Sequence, residues 1–131
     1  RADAATYTSW ERINQSDVRV AVRQGAVFED QANELVPNAD IRSIASPATE
    51  YQELLANRAD VAITSLFDAA SLVADQESLQ IAPIGARMTN FIGILVPQGD
   101  TELRAYIDAW IRAQEYSGYI DELTAKWNLS F

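Results

Sequence analysis

The chain has 131 residues, 48% of them hydrophobic and 22% charged, a length and balance that suit one globular core. No apolar run approaches the about 20 residues of a membrane span, and a net charge of −9 argues against nucleic acid or an anionic membrane surface as a partner. With neither cysteine nor histidine, thiol catalysis, structural zinc and imidazole-based triads are excluded together.

In chain order, the opening Arg1-Ala-Asp-Ala-Ala has no initiator methionine and no apolar stretch, which suggests a processed product or a piece of something longer. Thr8–Asn14 reads as a short helix capped by Ser9, with Trp10 and Ile13 facing inward. Val18, Val20 and Val22 alternate with polar or small residues, so Val18–Val22 reads as a strand. Gly25 then leads into a helix that runs to about Val36 and ends at Pro37-Asn38, where Glu29-Asp30 supplies the acidic first turn.

Asp40–Ile44 reads as a second strand. Ser46-Pro47 is expected to open a helix with proline at its first position and Tyr51, Leu54 and Leu55 on one face. Asp60–Thr64 is a third strand. Ser65, with Asp68 three residues on, starts a helix to about Asp75. Leu79–Ile84 and Phe91–Val96 read as two further strands. Leu103, Tyr106, Ile107, Trp110 and Ile111 then form one apolar stripe of a long helix. Ser117-Gly118 breaks it, and Tyr116, Tyr119, Ile120, Leu123 and Trp127 repeat the pattern. Core packing, rather than a cofactor pocket, is the expected use of these aromatics; no cofactor is implied.

The alternation predicts an α/β fold: a mostly parallel sheet with helices on both faces, followed by a C-terminal helical tail. Strands 18–22, 40–44, 60–64 and at least part of 79–84 should share the sheet. In such sheets ligands sit beyond the carboxyl ends of the strands. Two strands deliver a helix N-terminus to that edge, one through Gly25 and one through Ser65, and helix N-termini offer unsatisfied N–H groups. Gln24, Gly25, Ala26, Val27, Thr64 and Ser65 are therefore the candidate ligand-binding residues, with no catalytic or metal-ligating set beside them. Gly25 also has a plain reading as a turn glycine, Ser65 as a helix cap, and Arg23 as a solvent-facing charge.

The blocks Val18-Arg-Val-Ala-Val-Arg-Gln-Gly25, Tyr51-Gln-Glu-Leu-Leu-Ala-Asn-Arg-Ala-Asp-Val-Ala-Ile-Thr64, Ile94-Leu-Val-Pro-Gln-Gly-Asp-Thr-Glu-Leu103 and Gly118-Tyr-Ile-Asp-Glu-Leu-Thr-Ala-Lys-Trp127 resemble the polar-amino-acid solute-binding proteins of bacterial ABC importers. They follow that family's order and spacing from about residue 9 to residue 128. The resemblance implies one lobe of a type II periplasmic-binding-protein fold, in a periplasmic or extracellular bacterial setting. The family is about twice this length. Residues 9–90 would then be the second lobe, and residues 91–131 a hinge strand and helices that pack on a first lobe preceding Arg1. Implied partners are a small polar solute, that first lobe and an ABC transporter permease. Without the first lobe, the tail's apolar stripe would fold back or meet a second copy of the chain. Residues 25–27 depart from the family's Gly-Thr-Thr, so the amides carry over and the hydroxyls do not. Ser65 stands where the family has the aspartate for the ligand's ammonium.

The leading function is thus small-solute binding. An enzyme of the cyclohexadienyl or arogenate dehydratase type is the alternative on the same scaffold, and a sensor lobe of a membrane receptor is a third. A neutral Ser65 supplies no charge for a buried ammonium. The ligand end facing this lobe is therefore expected to be neutral or anionic rather than that of a standard amino acid.

Overall fold

The computed structural model describes residues 6–85, 87–88 and 93–127. The chain divides into two compact units, Arg1–Gly85 and Ala86–Phe131.

The first unit is built on a three-stranded parallel sheet. Helix α1 (Trp10–Ile13) is capped as expected, the Ser9 side chain accepting from the Arg12 N–H. Strand β1 (Arg19–Arg23) follows, then helix α2 (Val27–Leu35), strand β2 (Asp40–Ile44), helix α3 (Glu50–Leu55), strand β3 (Val61–Ala62) and helix α4 (Leu66–Asp75). The strand order is β2-β1-β3, with Val20 level with Ile41 on one side and with Val61 on the other.

β1 is central because its residues are the ones that can be buried on both faces. Val20, Ala21 and Val22 are all fully buried, which a strand at a solvated sheet edge could not manage. Val20 and Val22 cluster with Ile13, Val18, Ala32 and Val36, and so lie under α1 and α2. Ala21 points the other way, as alternation demands. The chain moves from β1 outward to β2 through α2, then returns past β1 to β3 through α3. Right-handed crossovers then place α2 and α3 on opposite faces, and α3 packs on both β1 and β3.

At the amino end of the sheet Arg19 clamps β1 to the start of β3. Its guanidinium donates to both Asp60 carboxylate oxygens at 2.6 and 2.8 Å, and its own N–H donates to the same carboxylate at 3.0 Å. The Asp60 bond is the first cause of an Arg19 pKa raised above its ordinary value.

Several boundaries and one strand of this unit differ from the sequence reading. α3 begins at Glu50, not after Ser46-Pro47, because Thr49 and Gln52 make a better start: the Thr49 N–H donates to the Gln52 side chain at 3.1 Å. Its most buried residue is Glu50, while Leu55 is exposed. β1 is displaced by one residue and β3 is reduced to two. Leu79–Ile84 forms no strand. Pro83 has no N–H to donate to a ladder. The segment instead packs irregularly, with Leu79 buried and Ile84 against the core. Its end is tied by the Trp10 indole N–H donating to the Gly85 carbonyl at 2.9 Å.

In the second unit, residues 93–96 form no strand, and residues 91 and 92 lie outside the described residues. Helix α5 (Thr101–Ser117) is capped by the Asp100 carboxylate, which accepts from the Leu103 N–H at 2.9 Å. Gly118, in the left-handed region at φ 77°, ends α5 and lets helix α6 (Tyr119–Lys126) start at once. The break at Ser117-Gly118 is where the sequence placed it. Core packing of the stripe does not follow. Neither helix buries a residue, and Tyr106, Trp110 and Tyr116 are exposed.

Candidate functional site

A strand order of 2-1-3 reverses direction at the β1/β3 boundary, and in open α/β sheets the crevice outside the carboxyl ends of strands at such a reversal is where ligands bind. The loop after β1 holds Gln24, Gly25, Ala26 and the first α2 residue, Val27. The segment after β3 holds Thr64 and Ser65. The two strands are neighbours, and the Ile63 N–H still reaches the Ala21 carbonyl at 3.1 Å. All six sequence-predicted residues therefore lie at the carboxyl edge of adjacent strands.

Gly25 has φ 71°, a conformation that side-chain-bearing residues rarely adopt, and nothing lies within 4 Å of where its Cβ would be. The glycine is needed by the turn itself, and the space above it is open. Its amide is engaged, however: the Gly25 N–H donates to Glu29 Oε2 at 2.7 Å. The Ala26 N–H donates to the Arg23 carbonyl at 3.2 Å. These are two of the amides that the sequence reading offers to a ligand. Ala26 is the α2 N-cap and makes no side-chain hydrogen bond to the first-turn amides.

Ser65 caps α4, its hydroxyl accepting from the Asp68 N–H at 3.0 Å while donating to Asp68 Oδ2 at 2.8 Å. The Thr64 hydroxyl reaches the same carboxylate oxygen at 3.5 Å. The negative charge missing at position 65 is thus supplied one helical turn later. Asp68, read from sequence as part of the α4 cap, also sets a carboxylate beside the neutral Ser65. The spacing Thr64-Ser65-x-x-Asp68 was the available signal, since a cap and its third residue always converge.

Two further residues were not placed at this edge from sequence, Glu29 being read only as a first-turn acid. Glu29 receives the Gly25 N–H and also the Ser43 hydroxyl from β2. Glu50, with 2% exposure, receives the Arg23 guanidinium at 3.5 Å on both oxygens. Arg23 is exposed, as expected, but its charge is directed at a buried carboxylate and not only at solvent.

The Ser43 hydroxyl first, and the Gly25 amide second, hold the Glu29 carboxyl below the ordinary glutamate pKa. A depressed folded-state pKa means the unfolded chain takes up the proton first as pH falls. The contribution of Glu29 is therefore complete above the ordinary glutamate pKa and is lost between that pKa and its lower folded value. Glu29→Gln should flatten this acid limb of thermal stability against pH, measured by circular dichroism melts. An unchanged limb would show that the carboxylate is not held.

No protein-family model matches the chain. Solved structures do. An ancestral cyclohexadienyl dehydratase is 31% identical with a TM-score of 0.65, aligned over 97% of this chain and 53% of that one. An ancestral cationic amino acid solute binding protein is 28% identical with a TM-score of 0.77, over 97% and 54%. An amino acid ABC transporter substrate-binding protein from Streptococcus pneumoniae, bound to L-arginine, shares the fold with a TM-score of 0.78 at 20% identity, over 97% and 53%. The chain spans about half the length of each. Its fold is therefore that of about half of a type II periplasmic-binding protein, the fold of the amino acid-binding proteins it is similar to.

Proposed function

We propose that this chain is the second lobe and C-terminal tail of an extracytoplasmic solute-binding protein, with a small amino-acid-like solute as ligand and an ABC importer permease as partner. The observation that carries the reading is the β2-β1-β3 order, which puts the loops after β1 and β3 side by side at the carboxyl edge. The similarity to binding proteins, one named for cationic amino acids, supports it. The first-turn amides of α2, the Thr64 and Ser65 hydroxyls and the Asp68 carboxylate would meet one end of the ligand. Asp68 is the group suited to an ammonium or guanidinium, because a charged hydrogen bond is the strongest contact such a surface can make. A first lobe, outside this chain, would close over the other end.

The test is a titration of the isotope-labelled chain with L-arginine, followed by amide chemical shifts. Saturable shifts should centre on Gln24–Val27 and Thr64–Asp68, and Asp68→Asn should weaken them about tenfold. Shifts confined to other surfaces would reject the reading.

The dehydratase similarity supports a second reading, an enzyme on the same scaffold. Loss of the ring hydroxyl as water together with loss of the ring carboxylate as carbon dioxide turns a cyclohexadienyl acid into an aromatic ring, so incubation with L-arogenate and ultraviolet detection of the product separates the two.

A further inference from the structure

Arg23 is the last residue of β1, one position before Gln24. Its side chain points to the face that Ala21 also uses, and it reaches Glu50 in the first turn of α3. Arg23 Nη2 lies 3.5 Å from both Glu50 carboxylate oxygens. The two partners differ sharply in exposure: the Glu50 side chain is 3% exposed and that of Arg23 is 56%. A buried carboxylate is strongly destabilising once its counter-charge leaves, so Glu50 keeps Arg23 at this end of the strand. The contact is long for a hydrogen bond and uses one nitrogen only. Among the described residues no hydrogen bond engages Arg23 Nε or Nη1. A fixed, half-exposed guanidinium therefore retains donors for a further acceptor.

The sheet sets where those donors stand. Ala21 is level with Ala62, and two residues further along each strand come Arg23 and Thr64. Neighbouring strands are about 5 Å apart. The Thr64 and Ser65 hydroxyls in turn lie against the Asp68 carboxylate, at 3.5 and 2.8 Å. A cation thus ends β1, and an anion stands one helical turn beyond the end of β3.

We propose that Arg23 is a ligand-contacting residue that takes a carboxylate of the ligand on the donors Glu50 leaves open, and that buried Glu50 is the residue that positions it. A guanidinium can serve two carboxylates at once, and it stays charged at any working pH. With Asp68 set for the ligand's ammonium, the two charges of an amino acid meet opposite partners on neighbouring strands. The ligand half of this statement rests on the binding function proposed above; the hold of Glu50 on Arg23 does not.

The experiment titrates the isotope-labelled full chain and follows the Arg23 Nε–H together with the amides of Gln24–Val27 and Thr64–Asp68. Two ligand pairs differ by a single carboxylate. L-Arginine against agmatine tests the α-carboxylate, and L-glutamate against L-glutamine tests one on the side chain. In at least one pair the acid should bind about tenfold more tightly and shift the Arg23 Nε–H. The double variant Arg23→Gln/Glu50→Gln, which leaves no buried charge unpaired, should lose that preference. Binding at the edge without such a preference, or a preference that survives the double variant, overturns the contact while the binding function stands. If none of the four ligands shifts the edge, the binding function falls, and sodium acetate against sodium chloride at equal ionic strength decides Arg23. A saturable Nε–H shift with acetate alone supports the carboxylate contact, and no shift overturns it. The positioning role is read separately, from the nitrogen–proton NOE of Arg23 Nε. Glu50→Gln should lower it to the value of the exposed Arg112; an unchanged NOE overturns that role.

Discussion

Calorimetry of this chain alone with free amino acids should give a dissociation constant no tighter than the high micromolar range. Small-molecule sites reach high affinity by burying about 70–90% of the ligand surface, and the candidate edge is one-sided. Gln24 and Gly25 are exposed, Val27 is 51% exposed, and no atom lies within 4 Å of a Cβ placed on Gly25. A ligand seated here keeps its far side in water. The contacts a covering lobe would make to the ligand's charged groups are worth about 2–5 kcal/mol, a factor of tens to thousands in affinity. Submicromolar binding by the single chain would mean that the site is complete without a second lobe, and would overturn its description as half a cleft.

The largest effect on stability is expected at Val20. Its side chain is fully buried at the centre of the sheet, among Ile13, Val18, Val22, Ala32 and Val36. An aspartate there would place an unpaired carboxylate in that cluster, at a cost of several kcal/mol. A single domain is stable by only about 5–15 kcal/mol, and this unit's sheet has just three strands. Val20→Asp should therefore abolish cooperative unfolding in circular dichroism melts and collapse the amide spectrum. Val27→Asp, at a half-exposed position in the first turn of α2, should leave both intact. Equal behaviour of the two variants would contradict the placement of the core.

The features legible in the sequence were those set by neighbours within a few residues. The run Val18–Val22 carries a valine at every second residue because successive strand side chains point to opposite faces, and these valines share one core cluster. The Ser9 and Ser65 caps hold because each serine finds an N–H three residues on. Gly118 ends α5 because glycine takes the left-handed turn without strain. What escaped depends on partners brought from afar or on competing local chemistry. Leu79–Ile84 has strand composition, yet Pro83 denies it a ladder. Pro47 looked like a helix start, but the Thr49–Gln52 pair offered a better one. In the candidate site, the six positions could be placed by strand order, whereas their electrostatics could not. Glu29 meets Ser43 only because β2 lies beside β1, and Arg23 meets Glu50 across 27 residues.

The brevity of β3 bears on how this sheet comes apart. β1 and β2 share five paired positions about one βαβ unit apart in sequence, whereas β1 and β3 share two, with Val20 opposite Val61. The first pairing is more local and closes a shorter loop, so it can form first and persist longest. The second depends on a two-residue ladder and on the Arg19–Asp60 clamp at one end. Partial opening should therefore start at this seam, releasing β3 while the βαβ unit stays folded. The carboxyl end of that seam carries Thr64, Ser65 and Asp68. Any molecule that bridges the loops after β1 and β3 would act as a splint across the weakest join of the sheet, raising the free energy of that local opening well before it altered global unfolding.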